Sequence, residues 1–202
     1  KGLESFADTS SSILVMENIA YTLQLQGNDE MALVWCEKAL AYVEKGDPDD
    51  RFFILMRKAA IQVESGHAAA TLATLAEAQT LVQQGLVMDY RGDVQAVTGE
   101  ALVLKGDCAG GLRELTRCLE RNKGRRDRRD MLAYLYARIA RAHLCAKEYE
   151  PALRAAKEGL SIAEEHDLGT EALENLVCLA HASEGTGDLR QALAFSQRYP
   201  AV

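Results

Sequence analysis

The chain has 202 residues, of which 48% are hydrophobic and 6% aromatic, and it carries a formal net charge of −7 with three prolines in all. No stretch shows the alternating period of an exposed strand, no run nears the roughly 18 to 20 apolar residues of a membrane span, and the N-terminus lacks the charged-then-apolar design of a signal peptide. Five cysteines, Cys36, Cys108, Cys118, Cys145 and Cys178, are odd in number and form no CxxC pair. They point to a reducing cytoplasm, with cysteine used as a small core residue.

The predicted elements are helices in pairs, each pair folded about a tight turn. The first pair covers about 10–46 and turns at Gly27, and the second covers about 49–87 and turns at Gly66. The third covers about 89–124 with its turn at Gly106, the fourth about 127–167 at Lys147, and the fifth about 169–199 at Gly187. Successive turns are therefore 39, 40, 41 and 40 residues apart, a repeat period.

Seven residues before each turn stand Ala20, Ala59, Gly99, Ala140 and Ala180; five after it stand Ala32, Thr71, Gly111, Ala152 and Ala192. Twelve after come Ala39, Ala78, Cys118 and Gly159, with Tyr199 the departure. Two antiparallel helices approach closely only where neither carries bulk, so these positions mark the seam of each pair. Large apolar residues fill the rest of it at helical spacing. They include Met16, Ile19 and Leu23, Leu55, Leu102, Tyr136 and Ile139, and Leu176 and Leu179 in the first helices. The second helices supply Leu33 and Leu40, Leu72 and Leu75, Leu112, Leu115 and Leu119, and Leu153 and Leu160. Pro48 falls in the GDPDD connector, Pro151 near the first turn of a helix and Pro200 after the last helix, all places that tolerate proline.

This order of small, large and turn residues resembles the tetratricopeptide repeat (TPR), over nearly the whole chain from Ser10 to Tyr199. The units are longer than the family's roughly 34 residues. They are similar to the long-helix bacterial type found in MalT-type transcription regulators, Rap-type peptide sensors and the sensory halves of some diguanylate cyclases. The resemblance implies an all-α, right-handed α-solenoid of five helix pairs forming one domain. It also implies a protein- or peptide-binding module whose partner is a separate ligand or an output domain in cis. A ligand spanning several repeats would act by favouring one curvature of the superhelix. The competing reading is a structural adaptor or oligomerisation scaffold that senses nothing.

In that family the first helix of each pair lines the concave face, and the exposed offsets transfer to this chain. Six before the turn stand Tyr21, Glu100, Arg141 and His181; nine before, Arg57 and Arg138; thirteen before, Phe53 and Tyr134. Aromatic and arginine residues commonly supply binding energy, and an arginine fork can clamp a carboxylate. Arg57, Arg138 and Arg141 are the candidates for an acidic or C-terminal carboxylate contact, unless they pair with Glu100 and Glu174 and merely stabilise the array. The positions of the lysine and asparagine clamp of chaperone-binding members hold Glu17, Tyr21 and Arg57, which disfavours a chaperone adaptor.

Charge is unevenly spread. Residues 105–157 carry 14 basic and 7 acidic side chains, leaving 9 basic and 23 acidic in the remainder, or about +7 against −14. The densest part, Arg117, Arg121, Lys123, Arg125, Arg126, Arg128 and Arg129, is interleaved with Glu120, Asp127 and Asp130 and lacks aromatic company. That pattern reads as a solvated connector rather than a nucleic-acid interface. His67, His143, His166 and His181 stand in no ligand spacing, so no metal, cofactor or catalytic residue is expected and the chain does not read as an enzyme.

The chain starts at Lys1-Gly2 without methionine, and the fifth repeat's second helix is barely three turns long. A solenoid end needs cover, and Leu189, Leu193 and Phe195 have none in the sequence. The expectation is a piece of a larger protein, with a homodimer through the array end as the second choice.

Overall fold

The computed structural model describes residues 3–43, 47–87, 90–125 and 127–198, with side chains from residue 12 onward except at position 91. Expectations at Lys1, Gly2, Arg126, Tyr199 and Pro200 lie outside the described residues. All described regular structure is helical: α1 Leu3–Leu25, α2 Asp29–Tyr42, α3 Pro48–Glu64, α4 Ala68–Gln83, α5 Arg91–Leu104, α6 Cys108–Asn122, α7 Arg129–Cys145, α8 Tyr149–Glu165, α9 Gly169–Thr186 and α10 Leu189–Ser196. The chain divides into two compact units, 1–101 and 102–202.

One turn recurs five times and explains the period. Gly27, Gly66, Gly106, Lys147 and Gly187 all adopt positive φ, between 60° and 91°. Their amides donate to the carbonyl three residues back, and the next residue's amide reaches five back, as in Lys147 to Leu144 (3.0 Å) and Glu148 to His143 (2.9 Å). This is the Schellman closure, which requires a left-handed residue and so favours glycine. The residue after the turn then opens the second helix. Asn28, Asp107 and Asp188 accept from the amides of Met31, Gly110 and Gln191 at 3.3, 2.8 and 2.9 Å, satisfying a donor that the helix start leaves unpaired. Asp47 caps α3 in the same manner, with Pro48 at its first position, where a missing amide costs nothing.

The small positions are buried as the seam requires. In the first unit Ala20, Ala32, Ala39, Ala59, Thr71 and Ala78 are each at most 1% exposed. One core cluster joins α1, α2 and α3 through Ile13, Cys36, Val43, Ile54 and Ile61. A second joins α3, α4 and the start of α5 through Phe52, Leu55, Leu75, Val82 and Val94. Buried Thr74 donates to Gln62 Oε1 at 2.8 Å between α4 and α3.

In the second unit Leu115, Leu135, Leu160, Leu176 and Leu179 form the interior with Ala140, Ala152 and Ala180. Asn175 is fully buried on α9 and donates to the carbonyls of Ala133 on α7 (3.1 Å) and Glu171 (2.8 Å). Gly159 on α8 makes room for it: a Cβ there would lie 2.2 Å from Asn175 Oδ1.

The structure corrects the reading of the cysteines in part. Cys36, Cys118 and Cys178 are buried thiols, but Cys108 and Cys145 are joined by a disulfide across 37 residues. On α10, Leu189 and Leu193 are 69% and 59% exposed, whereas Phe195 is half-buried. Among the described residues no helix is long and apolar enough to cross a membrane.

Candidate functional site

In the first unit the candidate residues gather on α1 and α3. Arg57, nine residues before its turn, lays its guanidinium over the ring of Tyr21, with 4.7 Å between Cζ and the centroid. Stacking of this kind uses the face of the cation and leaves its edge for hydrogen bonding. Arg57 Nε is buried without a hydrogen-bond partner. Glu17 stands one helical turn before Tyr21. Burial pushes its carboxyl above the usual range, Arg57 draws it back down, and Asp50 adds to the rise.

Phe53 precedes Arg57 by one turn of α3 and is 45% exposed. It meets Phe52 and Tyr90 edge-on at centroid distances of 5.7 and 5.3 Å, while Phe52 stacks on Tyr90 at 4.8 Å. Phe53 and half-buried Tyr90 therefore form an aromatic ledge over buried Phe52, one turn of α3 before Arg57. On α1 a shallow pocket of about 360 Å³ is lined by Val15, Asn18, Ile19, Thr22 and Leu23. Sequence reasoning placed Ile19 and Leu23 in the seam and did not single out Val15 or Thr22. Their three- and four-residue spacing was the available signal. Glu100, on α5, is half-buried.

In the second unit the candidates fall on α7 and α9. Arg138 lies 4.5 Å over the Tyr134 ring, and its Nη2 donates to Glu174 Oε1 at 3.0 Å. The pair is largely shielded, with side-chain exposures of 11% and 22%. Arg138 is thus committed to Glu174, the partner that the stabilising reading named. Arg141, one turn along, is exposed, as is His181 on α9. Cys178, one turn before His181 on α9, is buried and donates to the Ala137 carbonyl at 3.6 Å. Burial pushes its thiol up, against the pull of Arg141 and Arg138.

The other histidines take up structural places. His67 is the first residue after its turn, and His166 closes α8. His143 is 2.7 Å from Glu148 across the fourth turn. The basic connector is partly neutralised by its neighbours. Arg117 pairs with Glu114 (2.9 Å), Lys123 with Glu120, and Arg125 with Asp127 (3.1 Å). Among the described residues no group of three or more His, Cys, Asp or Glu is placed to hold a metal ion. The geometry presents guanidinium groups over tyrosine rings, an aromatic ledge and a shallow apolar pocket.

Residues 13–45, which span the first helix pair from Ile13 past the end of α2, match the family model of the tetratricopeptide repeat. The fold is that of TPR-like helical arrays. A kinesin-light-chain-type protein of Podosopora anserina with nearly identical TPR-like repeats superposes with a TM-score of 0.70 at 16% identity, covering 94% of this chain and 93% of that one. BtubC (BKLC) from P. vanneervenii gives 0.68 at 16%, over 98% and 90%. Bacillus thuringiensis PlcR, in its complex with the peptide PapR7 and DNA, gives 0.66 at 14%, over 93% and 70%. No protein of curated function matches in sequence.

Proposed function

We propose that this chain is a TPR-type module that binds a protein or peptide, serving as the sensory or regulatory part of a bacterial signalling protein. The observation that carries the reading is the recurrence of a tyrosine-backed arginine at one register position. Nine residues before the turn, in the second and fourth repeats, an arginine sits over a tyrosine ring, Arg57 over Tyr21 of α1 and Arg138 over Tyr134 of its own helix. The ring orients the planar fork of the guanidinium, so less side-chain freedom is lost when an acidic group docks, as Glu174 does on Arg138. In the first unit the recognition surface is Arg57 with Tyr21 and Phe53; in the second it is exposed Arg141 beside Tyr134, Arg138 and His181. PlcR, whose fold this chain shares at 14% identity, was crystallised with a peptide, which supports a peptide ligand.

The test is fluorescence anisotropy with a panel of acidic peptides, each with a free and an amidated C-terminus, against the wild-type chain, Arg57→Ala and Arg141→Ala. Loss of one charge-assisted contact is expected to weaken binding about tenfold or more, with unchanged helicity. Equal affinity across the variants and both peptide forms would reject the assignment of these residues.

The Arg138–Glu174 ion pair favours a second reading, a structural adaptor in which the inner arginines only brace the helices. In that case Arg57→Ala and Arg141→Ala lower thermal stability and leave partner capture intact.

A further inference from the structure

The Cys108–Cys145 bond stands apart from the other sulfur chemistry of the molecule. Cys108 is the first residue of α6 and Cys145 the last of α7, so the two lie two residues after one left-handed turn and two before the next. Their Cα atoms are 5.7 Å apart. The bond fastens the second helix of the third repeat to the first helix of the fourth and encloses α6, the basic connector and α7 in one loop. Both cysteines are half-buried, open to a small reagent, whereas Cys36, Cys118 and Cys178 are buried. Cys108 Sγ lies 3.4 Å from the Gly106 carbonyl and Cys145 Sγ 3.8 Å from that of Val103. A disulfide sulfur has no proton to give these oxygens, but each thiol of the opened pair has an acceptor already in place.

We propose that Cys108 and Cys145 form a reversible thiol–disulfide clasp, exchanging with low-molecular-weight thiols and disulfides of the glutathione class. In closing, one cysteine thiolate attacks the small disulfide, giving a mixed disulfide and releasing one small thiolate. The second cysteine thiolate then displaces the other. The cysteine pair loses two electrons, the small disulfide is reduced to two thiols, and the two cysteine protons pass through solvent to them. Opening runs the same steps backwards. The closed form restricts the loop that holds α6 and α7; the open form releases it. Cys145 also ends the helix that bears Tyr134, Arg138 and Arg141, so the bond reaches the proposed arginine face. That last link rests on the function proposed above, while the clasp itself does not.

The test equilibrates the full chain, still folded, in buffers of varied reduced and oxidised glutathione. The mixture is then quenched with an alkylating reagent in denaturant and the mass and peptides are read. Three alkylated cysteines, Cys36, Cys118 and Cys178, with a linked 108–145 peptide are expected in oxidising buffer, and five in reducing buffer. Amide exchange in α6 and α7 should quicken about tenfold or more on opening. A Cys108→Ser, Cys145→Ser chain should exchange at the open rate in every buffer, and the alanine pair provides the same control if serine unsettles the fold. A bond that survives excess dithiol in the folded chain, a pair that stays reduced in excess oxidised glutathione, or equal exchange in both forms would overturn the proposal.

Discussion

At the scale of single residues, the backbone of the turn governs more than its side chain. Lys147 occupies at φ 60° the place that glycine holds at the four other turns. Left-handed backbone costs a residue with a Cβ roughly 1 kcal/mol. Lys147→Gly is therefore expected to raise stability by up to about 1 kcal/mol, read as a shift in the urea midpoint without a change in slope. This residue also shows how far the sequence was legible. The 40-residue rhythm identified Lys147 as a turn residue despite its chemistry, because hydrogen-bond closure constrains the position more tightly than the residue type does. The cysteines show the opposite. Whether two thiols meet depends on how neighbouring helices are offset, and no spacing rule covers a pair 37 residues apart. A further residue-scale consequence is alkaline sensitivity. Burial pushes the Cys36 thiol from its ordinary 9.0 to about 11. Its folded pKa exceeds the unfolded one, so its contribution is complete below pH 9.0 and is lost as pH rises through about 11. Wild-type chain should lose more stability between pH 8 and pH 10.5 than Cys36→Ala does, measured by urea unfolding at each pH.

At the scale of helices, the seams rest on paired fits rather than on average hydrophobicity. Gly159→Ala would drive a Cβ into Asn175, an overpacking expected to cost about 1 to 3 kcal/mol. The same substitution in an Asn175→Ala background should cost less, and the double-mutant cycle of unfolding free energies measures the coupling directly. Arg138 fastens α7 to α9 in a different way. Arg138→Ala removes the stack on Tyr134 and strands the shielded Glu174 carboxylate, with an expected loss of about 2 kcal/mol in urea unfolding. Arg138→Lys should recover only part, since an ammonium has no planar face to stack. The small residue at 159 was readable from periodicity. Its partner at 175 was not, because a buried amide leaves no periodic trace and its bond to Ala133 crosses two helices. The arginines were likewise readable as candidates, and Glu174 as a carboxylate that could pair with them, while the choice of Tyr21 and Tyr134 as the rings beneath Arg57 and Arg138 is a matter of side-chain rotamers.

At the scale of the whole molecule, each compact unit has an interior of its own, and repeat architectures couple mainly through nearest neighbours. Damage should therefore stay local. Phe52→Ala empties the heart of the α3–α4 cluster, a change worth about 3 to 5 kcal/mol. Hydrogen exchange in the variant is expected to lose protection in α3 and α4 well before α8 and α9, whereas uniform loss throughout would mean that the chain unfolds as one block. Helix content and turn positions were legible at this scale, since both follow from the repeat. The division into units was not, because contact density is a property of three dimensions. The buried amide of Asn175 has one more consequence, for ancestry and engineering. Interchangeable repeats can be duplicated, deleted or shuffled like beads. The fourth and fifth repeats here are keyed instead, the fifth carrying a tooth that fits a notch at Gly159 and a latch at Ala133 in the fourth. Splicing another repeat between them would leave the tooth without its notch, so any lengthening of the array is better tolerated at some other joint.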